Sequence, residues 1–263
     1  MILDDIVRHK KYELCEFKNT LALDVLRSAL ATLPSKRDFK GVLCAPSPMN
    51  GPRTIRIIAE IKKASPSRGL IRDNFDPVEI AQLYEKNGAV AISVLTDRKY
   101  FQGNFENLAR VKENISIPIL DKDFIIDPYQ LYQAKYYGAD AVLLIVAILS
   151  DEELAGYLSI ASQLDLDVLV EVHTHDELKR ALATNAQIIG INNRDLKTFR
   201  VSVDTSRELV HCIPDDKIVV SESGIDSKDT LVSLRKEGID AFLIGEAFMR
   251  DQNIGKKLRD FIN

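Results

Sequence analysis

Tryptophan is absent from the 263 residues, cysteine occurs only three times, and no apolar run is long. Cys15, Cys44 and Cys212 lie far apart and form no Cys-x-x-Cys pair. That spacing argues against a disulfide framework or a zinc site and for a reducing compartment. The longest apolar stretch, AVLLIVAIL (141–149), falls far short of the roughly 20 residues that a membrane-spanning helix needs. The opening MILDDIVRHKK is acidic before it is basic and lacks the apolar core of a secretory signal. The expected location is the cytoplasm. Surplus positive charge is missing as well: 35 Lys and Arg face 39 Asp and Glu, giving a net charge of −4 and a pI near 5.7. This balance argues against nucleic acid or a membrane as a partner. An anionic small molecule remains compatible if the cations that meet it are local.

What the chain has in quantity is alternation. Short apolar runs rich in β-branched residues recur at 54–61, 89–95, 115–120, 140–148, 167–172, 186–192, 217–223 and 240–246. Near-continuous apolarity over so short a length fits strands of a parallel sheet buried on both faces. The stretches between them carry helical patterns. Ser150 with Glu153 and Thr174 with Glu177 fit the capping box, and Gly88, Gly138 and Gly238 suit helix C-caps. Eight strand–helix units could form an open doubly wound sheet, but the first strand runs into AEIKKASPSRG, without a GxGxxG phosphate loop. Closure into an α/β (β/α)8 TIM barrel, a fold of roughly 250 residues, accounts better for the length. Residues 1–263 therefore read as a single barrel domain, with 1–50 an N-terminal helical extension packed on it. In that extension Ile2, Ile6 and His9 share one helical face, and Leu23, Leu26, Leu30 and Leu33 another. The segment 35–53 reads as a loop.

Barrel enzymes build their sites at the C-terminal ends of the strands. The polar residues there are Glu60, Lys62 and Ser65 after the first strand, Lys122 after the third and Glu171 on the fifth. Asn192 and Arg194 follow the sixth strand; Glu222, Ser223 and Gly224 close the seventh, and Gly245 and Glu246 the eighth. Lys and Glu are rarely fully buried without partners. Glu60 and Lys62, two apart, face one side if the strand continues that far. Such a pair is either a catalytic device or an ion pair closing the barrel top. The Gly-containing turns SESGI and LIGEAF, on the last two strands, fit the phosphate site common in barrels.

At this point the segments themselves resemble a known family. AEIKKASPSRG (59–69), VLTDRKYFQG (94–103), PILDKDFIID (118–127), LVEVHT (169–174), GINNRDL (190–196), SESGI (221–225) and FLIGEAFM (242–249) are similar to motifs of the indole-3-glycerol-phosphate synthases, in the family's order. ILDDIVRHKKYEL (2–14) is similar to the family's N-terminal helix, and LLIVAIL (143–149) to another of its segments. The resemblance implies a substrate, 1-(2-carboxyphenylamino)-1-deoxyribulose 5-phosphate, which undergoes ring closure, decarboxylation and dehydration in tryptophan biosynthesis. It implies no metal and no organic cofactor. His173 and His175, two apart, lack an obvious third ligand. By the same resemblance Lys122 is the general acid and Lys62 a second cation, with the order of the two left open. Glu171 is a base, and Glu60 orients the lysine. Asn192 and Arg194 hold the anthranilate region, and Phe101 and Leu144 wall the aryl ring. Ser65 and the turns Ser223–Gly224 and Gly245–Glu246 take the phosphate, Glu246 through its backbone N–H alone. Glu222 lines the pocket without an assigned step. The segment 62–77, long for a βα loop, is expected to close over the substrate.

Two alternatives stand beside this reading: a phosphoribosylanthranilate isomerase-like barrel, and a non-catalytic phosphate-binding barrel. The full set Glu60, Lys62, Lys122 and Glu171 weighs against the second. The expected partner is the small phosphorylated substrate, with no nucleic acid and no membrane. A monomer is expected, with transient contact to other enzymes of the pathway left open.

Overall fold

The computed structural model describes residues 2–44, 55–195 and 198–263. Residues 45–53 of the expected loop, Thr54 of the first apolar run and Leu196 of GINNRDL lie outside them. Eight parallel strands close into a barrel. They are β1 (Ile57–Ile61), β4 (Ala91–Leu95), β5 (Ile119–Lys122), β6 (Ala141–Ile145), β7 (Asp167–Val172), β8 (Ile188–Asn192), β9 (Ile218–Glu222) and β10 (Ala241–Ile244). Neighbours pair in sequence order, and β10 returns to β1 with Ile58 opposite Leu243. Helices follow the strands on the outside, so the sheet is buried on both faces, as the continuous apolarity of the runs anticipates.

Most runs outlast their strand, although 167–172 coincides with β7 and β5 extends past 115–120 to Lys122. The run 140–148 gives β6 and then a 3-10 turn at Val146–Ile148. Strand pairing stops where the chain turns over the barrel rim, while the apolar residues continue under the following helix. Between β1 and α4 (Pro77–Lys86) the chain forms a small hairpin of β2 (Ala64–Ser65) and β3 (Gly69–Leu70), where the sequence suggests only a loop.

Capping is as expected at Ser150, where both reciprocal bonds of the box form at the start of α7 (Asp151–Gln163). At α8 (His175–Leu182) only half of it does. Thr174 accepts the Glu177 N–H, but the Glu177 carboxylate accepts the His173 N–H at 2.7 Å instead of closing the box. Gly88, Gly138 and Gly238 all take positive φ, which ends the preceding helices cheaply.

The N-terminal extension covers both mouths of the barrel. Helix α1 (Ile2–Thr20) buries Leu3 and Ile6 against the upper interior, with Ile2 half-buried beside them and His9 half-buried further along. Helix α2 (Leu23–Ala29) buries Leu26 against Leu14 and Tyr129. The segment 35–53 is not all loop: α3 (Phe39–Cys44) starts where Asp38 accepts the Gly41 N–H at 2.7 Å. Its Phe39 and Leu43, one turn apart, are fully buried with the interior residues of the strands. Lys36 and the Lys40 N–H bind the Asp167 carboxylate at 2.7 and 2.9 Å, and the Arg37 N–H binds Asp140 at 2.6 Å. Both aspartates stand at strand starts, so α3 plugs the N-terminal mouth.

Candidate active site

Alternation along a strand decides which residues enter the barrel. Ile58, Leu120, Leu169 and Val220 fill the interior, and the residues two further on are Glu60, Lys122, Glu171 and Glu222. Four strands thus deliver one polar layer to the C-terminal end of the barrel. Lys122 Nζ lies 2.7 Å from Glu222 Oε2 and 3.2 Å from Glu171 Oε2. Glu60 is paired with Lys62, which stands just past the end of β1. Two glycines make room for the layer. A Cβ on Gly190 would collide with Glu222 Oε1, and one on Gly245 with Glu60 Oε1. Gly245 therefore clears space for a carboxylate, whatever its backbone does for a ligand.

The layer sets its own protonation. Burial works against the Lys122 ammonium, but Glu222, Glu171 and Glu60 outweigh it and raise its pKa. Burial likewise opposes ionisation of Glu60 and Glu171. Lys62 and then Lys122 bring Glu60 below its ordinary value, while Lys122, His173 and a hydrogen bond from Asn192 do so for Glu171. Two lysines cannot answer three carboxylates. The remaining one is Glu222, pushed up to about 7 by burial and by Glu171 despite Lys122. Its Oε1 is buried with no hydrogen-bond partner among the described residues. Glu222, read from sequence as a wall, therefore sits at the centre of the charge cluster.

His173 is a neighbour of this cluster and not half of a His pair. Its Nε2 is 3.6 Å from Glu171 and its Nδ1 3.1 Å from Glu177. Burial lowers its pKa, but the Glu177 hydrogen bond and Glu171 raise it overall. His175 opens α8, its Nδ1 3.9 Å from Cys212 Sγ.

The layer forms one side of a pocket that encloses about 1130 Å³ with its open mouth included. Ser65, Ser67, Ser223, Gly224, Gly245 and Glu246 also line it. Ser223 and Gly224 take φ of 66° and 72°, two successive left-handed residues. Asn193 holds that turn by donating to the Ser223 carbonyl and to Ser221 Oγ, each at 3.0 Å. The Glu246 carboxylate is not left to repel an anion. Arg68, Arg194 and Arg250 approach it at 2.9, 3.5 and 3.6 Å. Asn192 accepts the Arg194 N–H at 3.0 Å besides its bond to Glu171.

The apolar wall differs from the expectation in one residue. Phe101 lines the pocket, 6.0 Å from Phe124 between ring centroids. Leu144 does not: it is fully buried in the layer between sheet and helices. Its neighbours Leu143 and Ile145 face the pocket instead, because alternate residues of β6 point to opposite faces. Sequence motifs locate the strand but do not set its phase. Leu144→Ala should therefore destabilise the fold by about 2–5 kcal/mol with KM unchanged. Leu143→Ala should raise KM. Chemical denaturation and steady-state kinetics check the pair, and a raised KM in the Leu144 variant would return that residue to the wall. Ile2, Leu3 and Ile6 of α1 also line the pocket. Their i, i+4 spacing marks a buried helix face, but nothing in the sequence says that this face closes a site.

Comparison with known proteins gives the family. Residues 3–261 match the family model described as indole-3-glycerol phosphate synthase. The chain is 46% identical over 263 residues to the indole-3-glycerol phosphate synthase of Acetivibrio thermocellus, covering 99% of each chain. It is 49% identical over 258 residues to that of Acidithiobacillus ferrooxidans, covering 98% of this chain and 97% of the relative. Among solved structures, a thiamine phosphate pyrophosphorylase from Pyrococcus furiosus superposes with a TM-score of 0.59 at 18% identity, covering 80% of this chain and 94% of that one. This last likeness concerns the barrel fold alone. The chain belongs to the indole-3-glycerol phosphate synthase family.

Proposed function

We propose that the protein is a carbon–carbon lyase, an indole-3-glycerol-phosphate synthase of tryptophan biosynthesis, acting in the cytoplasm without metal or organic cofactor. Its substrate is 1-(2-carboxyphenylamino)-1-deoxyribulose 5-phosphate. The observation that carries the reading is the part-buried Lys122 held between the buried Glu171 and Glu222 in a pocket that also presents an apolar wall and the Ser223–Gly224 turn. Such a site suits a substrate with an aryl ring at one end and a phosphate at the other.

The chemistry distributes itself over these groups. The ring carbon bearing the carboxylate attacks the keto carbon, and the carbonyl oxygen gains charge and a proton. Lys122, held as an ammonium by three carboxylates, stabilises that oxygen and supplies the proton. Lys62, oriented by Glu60, is the second cation and meets the substrate carboxylate. Carbon dioxide then leaves and restores aromaticity in the ring. Dehydration removes a proton from carbon and expels the new hydroxyl as water. Glu171, held ionised, is the base. Glu222, its carboxyl pushed up to about 7, is the acid for the departing hydroxyl. Phe101, Leu143 and Ile145 exclude water around the ring, which strengthens the charged contacts. Ser65, Ser223, Gly224 and the Gly245–Glu246 turn take the phosphate, with Arg68 and Arg194 supplying cations beside Glu246. The partner is this small molecule and no nucleic acid or membrane. The protein acts as a monomer, in no more than transient contact with other enzymes of the pathway.

A fluorescence assay for indole-3-glycerol phosphate, run with and without a chelator, tests the reading. Product formation that is indifferent to the chelator is expected; no product from this substrate overturns it. The acid role of Glu222 has its own signature. If its protonated form is the active one, kcat falls as pH rises through about 7. Glu222→Gln should lower the rate and abolish that limb, whereas a limb that survives assigns it to another group.

A further inference from the structure

A second buried charge cluster lies behind the pocket and is not used by the chemistry above. Lys10 of α1 is only 1% exposed. Its ammonium lies 2.8 Å from Glu13, 3.1 Å from Asp97 and 2.8 Å from Asp123. Glu13 is on the same helix, 3.5 Å from His9. Asp97 and Asp123 stand just beyond the ends of β4 and β5. Asp121 lies alongside, accepting a hydrogen bond from Thr96 at 2.7 Å, with its carboxyl pushed up to about 8 by burial and by Asp123.

Two of the Lys10 partners lead directly into the site. Asp97 Oδ1 accepts the N–H groups of Tyr100 and Phe101 at 2.7 and 3.2 Å, and its carbonyl accepts the Gly103 N–H at 2.8 Å. The turn that presents Phe101 to the pocket is thus hung on Asp97. Asp123 is the residue after Lys122 and lines the pocket with Phe124. An ammonium in a dry interior is expensive, and apolar residues of similar size commonly stabilise a fold as well or better. What a lysine adds is direction. Three carboxylates fixed around one cation allow a single arrangement of helix, turn and strand end, which apolar packing would specify less tightly.

We propose that Lys10 is a positioning residue for the reaction, fixing through Asp97 the turn that carries Phe101 and through Asp123 the strand end that carries Lys122. The proposal rests on the function proposed above for its kinetic part, and on hydrogen exchange for a part independent of it. The test compares the full-length wild type with Lys10→Met and with Leu14→Ala. The Leu14 variant removes packing from the same helix, against Leu26 and Tyr129, and takes away no charged group. In Lys10→Met, amide exchange over residues 96–104 should quicken at least about tenfold, whereas in Leu14→Ala that segment keeps its wild-type rate relative to the rest of the barrel. The same Lys10 variant should show a raised KM and a lowered kcat, with Leu14→Ala close to wild type in both at a temperature where both are folded. Wild-type exchange over 96–104 in Lys10→Met, or the same acceleration in Leu14→Ala, overturns the proposal. If Lys10→Met does not fold, Asp97→Asn, which keeps the side-chain shape, replaces it: acceleration over 98–103 supports the role and wild-type exchange removes it. Absence of turnover by the wild type itself would sink the proposed reaction and leave the exchange result to decide on Lys10.

Discussion

Replacing Lys122 with alanine should lower kcat by at least about a hundredfold, the low end of what a positioned general acid contributes. The expectation follows from its place between Glu222 and Glu171, where the described residues offer no second ammonium to either carboxylate at comparable distance. Lys62 is engaged by Glu60 and cannot serve both ends. Stability should change too. Removing one partner of a buried ion pair costs about 3–5 kcal/mol when the other stays charged. Here the carboxylates can take up a proton, so the loss should be smallest at low pH and grow as pH rises. Single-turnover kinetics with thermal melts at two pH values separate the effects. Near-normal turnover in the variant would remove Lys122 from the mechanism.

Glu171→Gln should cost a similar factor in rate but leave substrate affinity within a few fold. The amide keeps the shape and can still meet Asn192, but it cannot accept a proton. Ring closure and decarboxylation do not call on this carboxylate, so a ring-closed species heavier than the product by one water should build up. Rapid quench with mass spectrometry detects it. An unchanged product rate with much weaker affinity would instead make Glu171 a binding residue.

Much of the fold is legible in the order of the residues. Eight apolar runs of strand length, with helical patterns between them, already imply a closed parallel barrel, and the structure shifts only the ends of the runs. Segment 35–53 shows where that legibility ends. Its helix α3 has two fully buried anchors, Phe39 and Leu43, and short helices of this kind take their stability from the surface they cover and not from their own pattern. The site is legible to the same degree. Glu60, Lys62, Lys122, Glu171, Asn192 and Glu222 are polar residues at the ends of apolar strands, which is a sequence-level signal. Phase is not legible at Leu144, since adjacent leucines in LLIV look alike until the pleat assigns one to each face.

The sequence by itself determined the strand count, the parallel arrangement and the family, because these depend on local pattern and on motifs read in order. Tertiary structure decided three things that depend on distance between remote segments. It set Glu222, 2.7 Å from a lysine a hundred residues away, in a buried layer where burial and Glu171 push its carboxyl up to about 7 despite that lysine. It set Arg68 and Arg194 beside Glu246, adding to Arg250 one turn along and answering the repulsion that the sequence alone suggests. It also buried Lys10 of the first helix against Asp97 and Asp123. The physical reason is common to all three: a charge takes its pKa and its cost from the groups within a few ångströms, and a sequence does not fix which groups those are until the barrel closes.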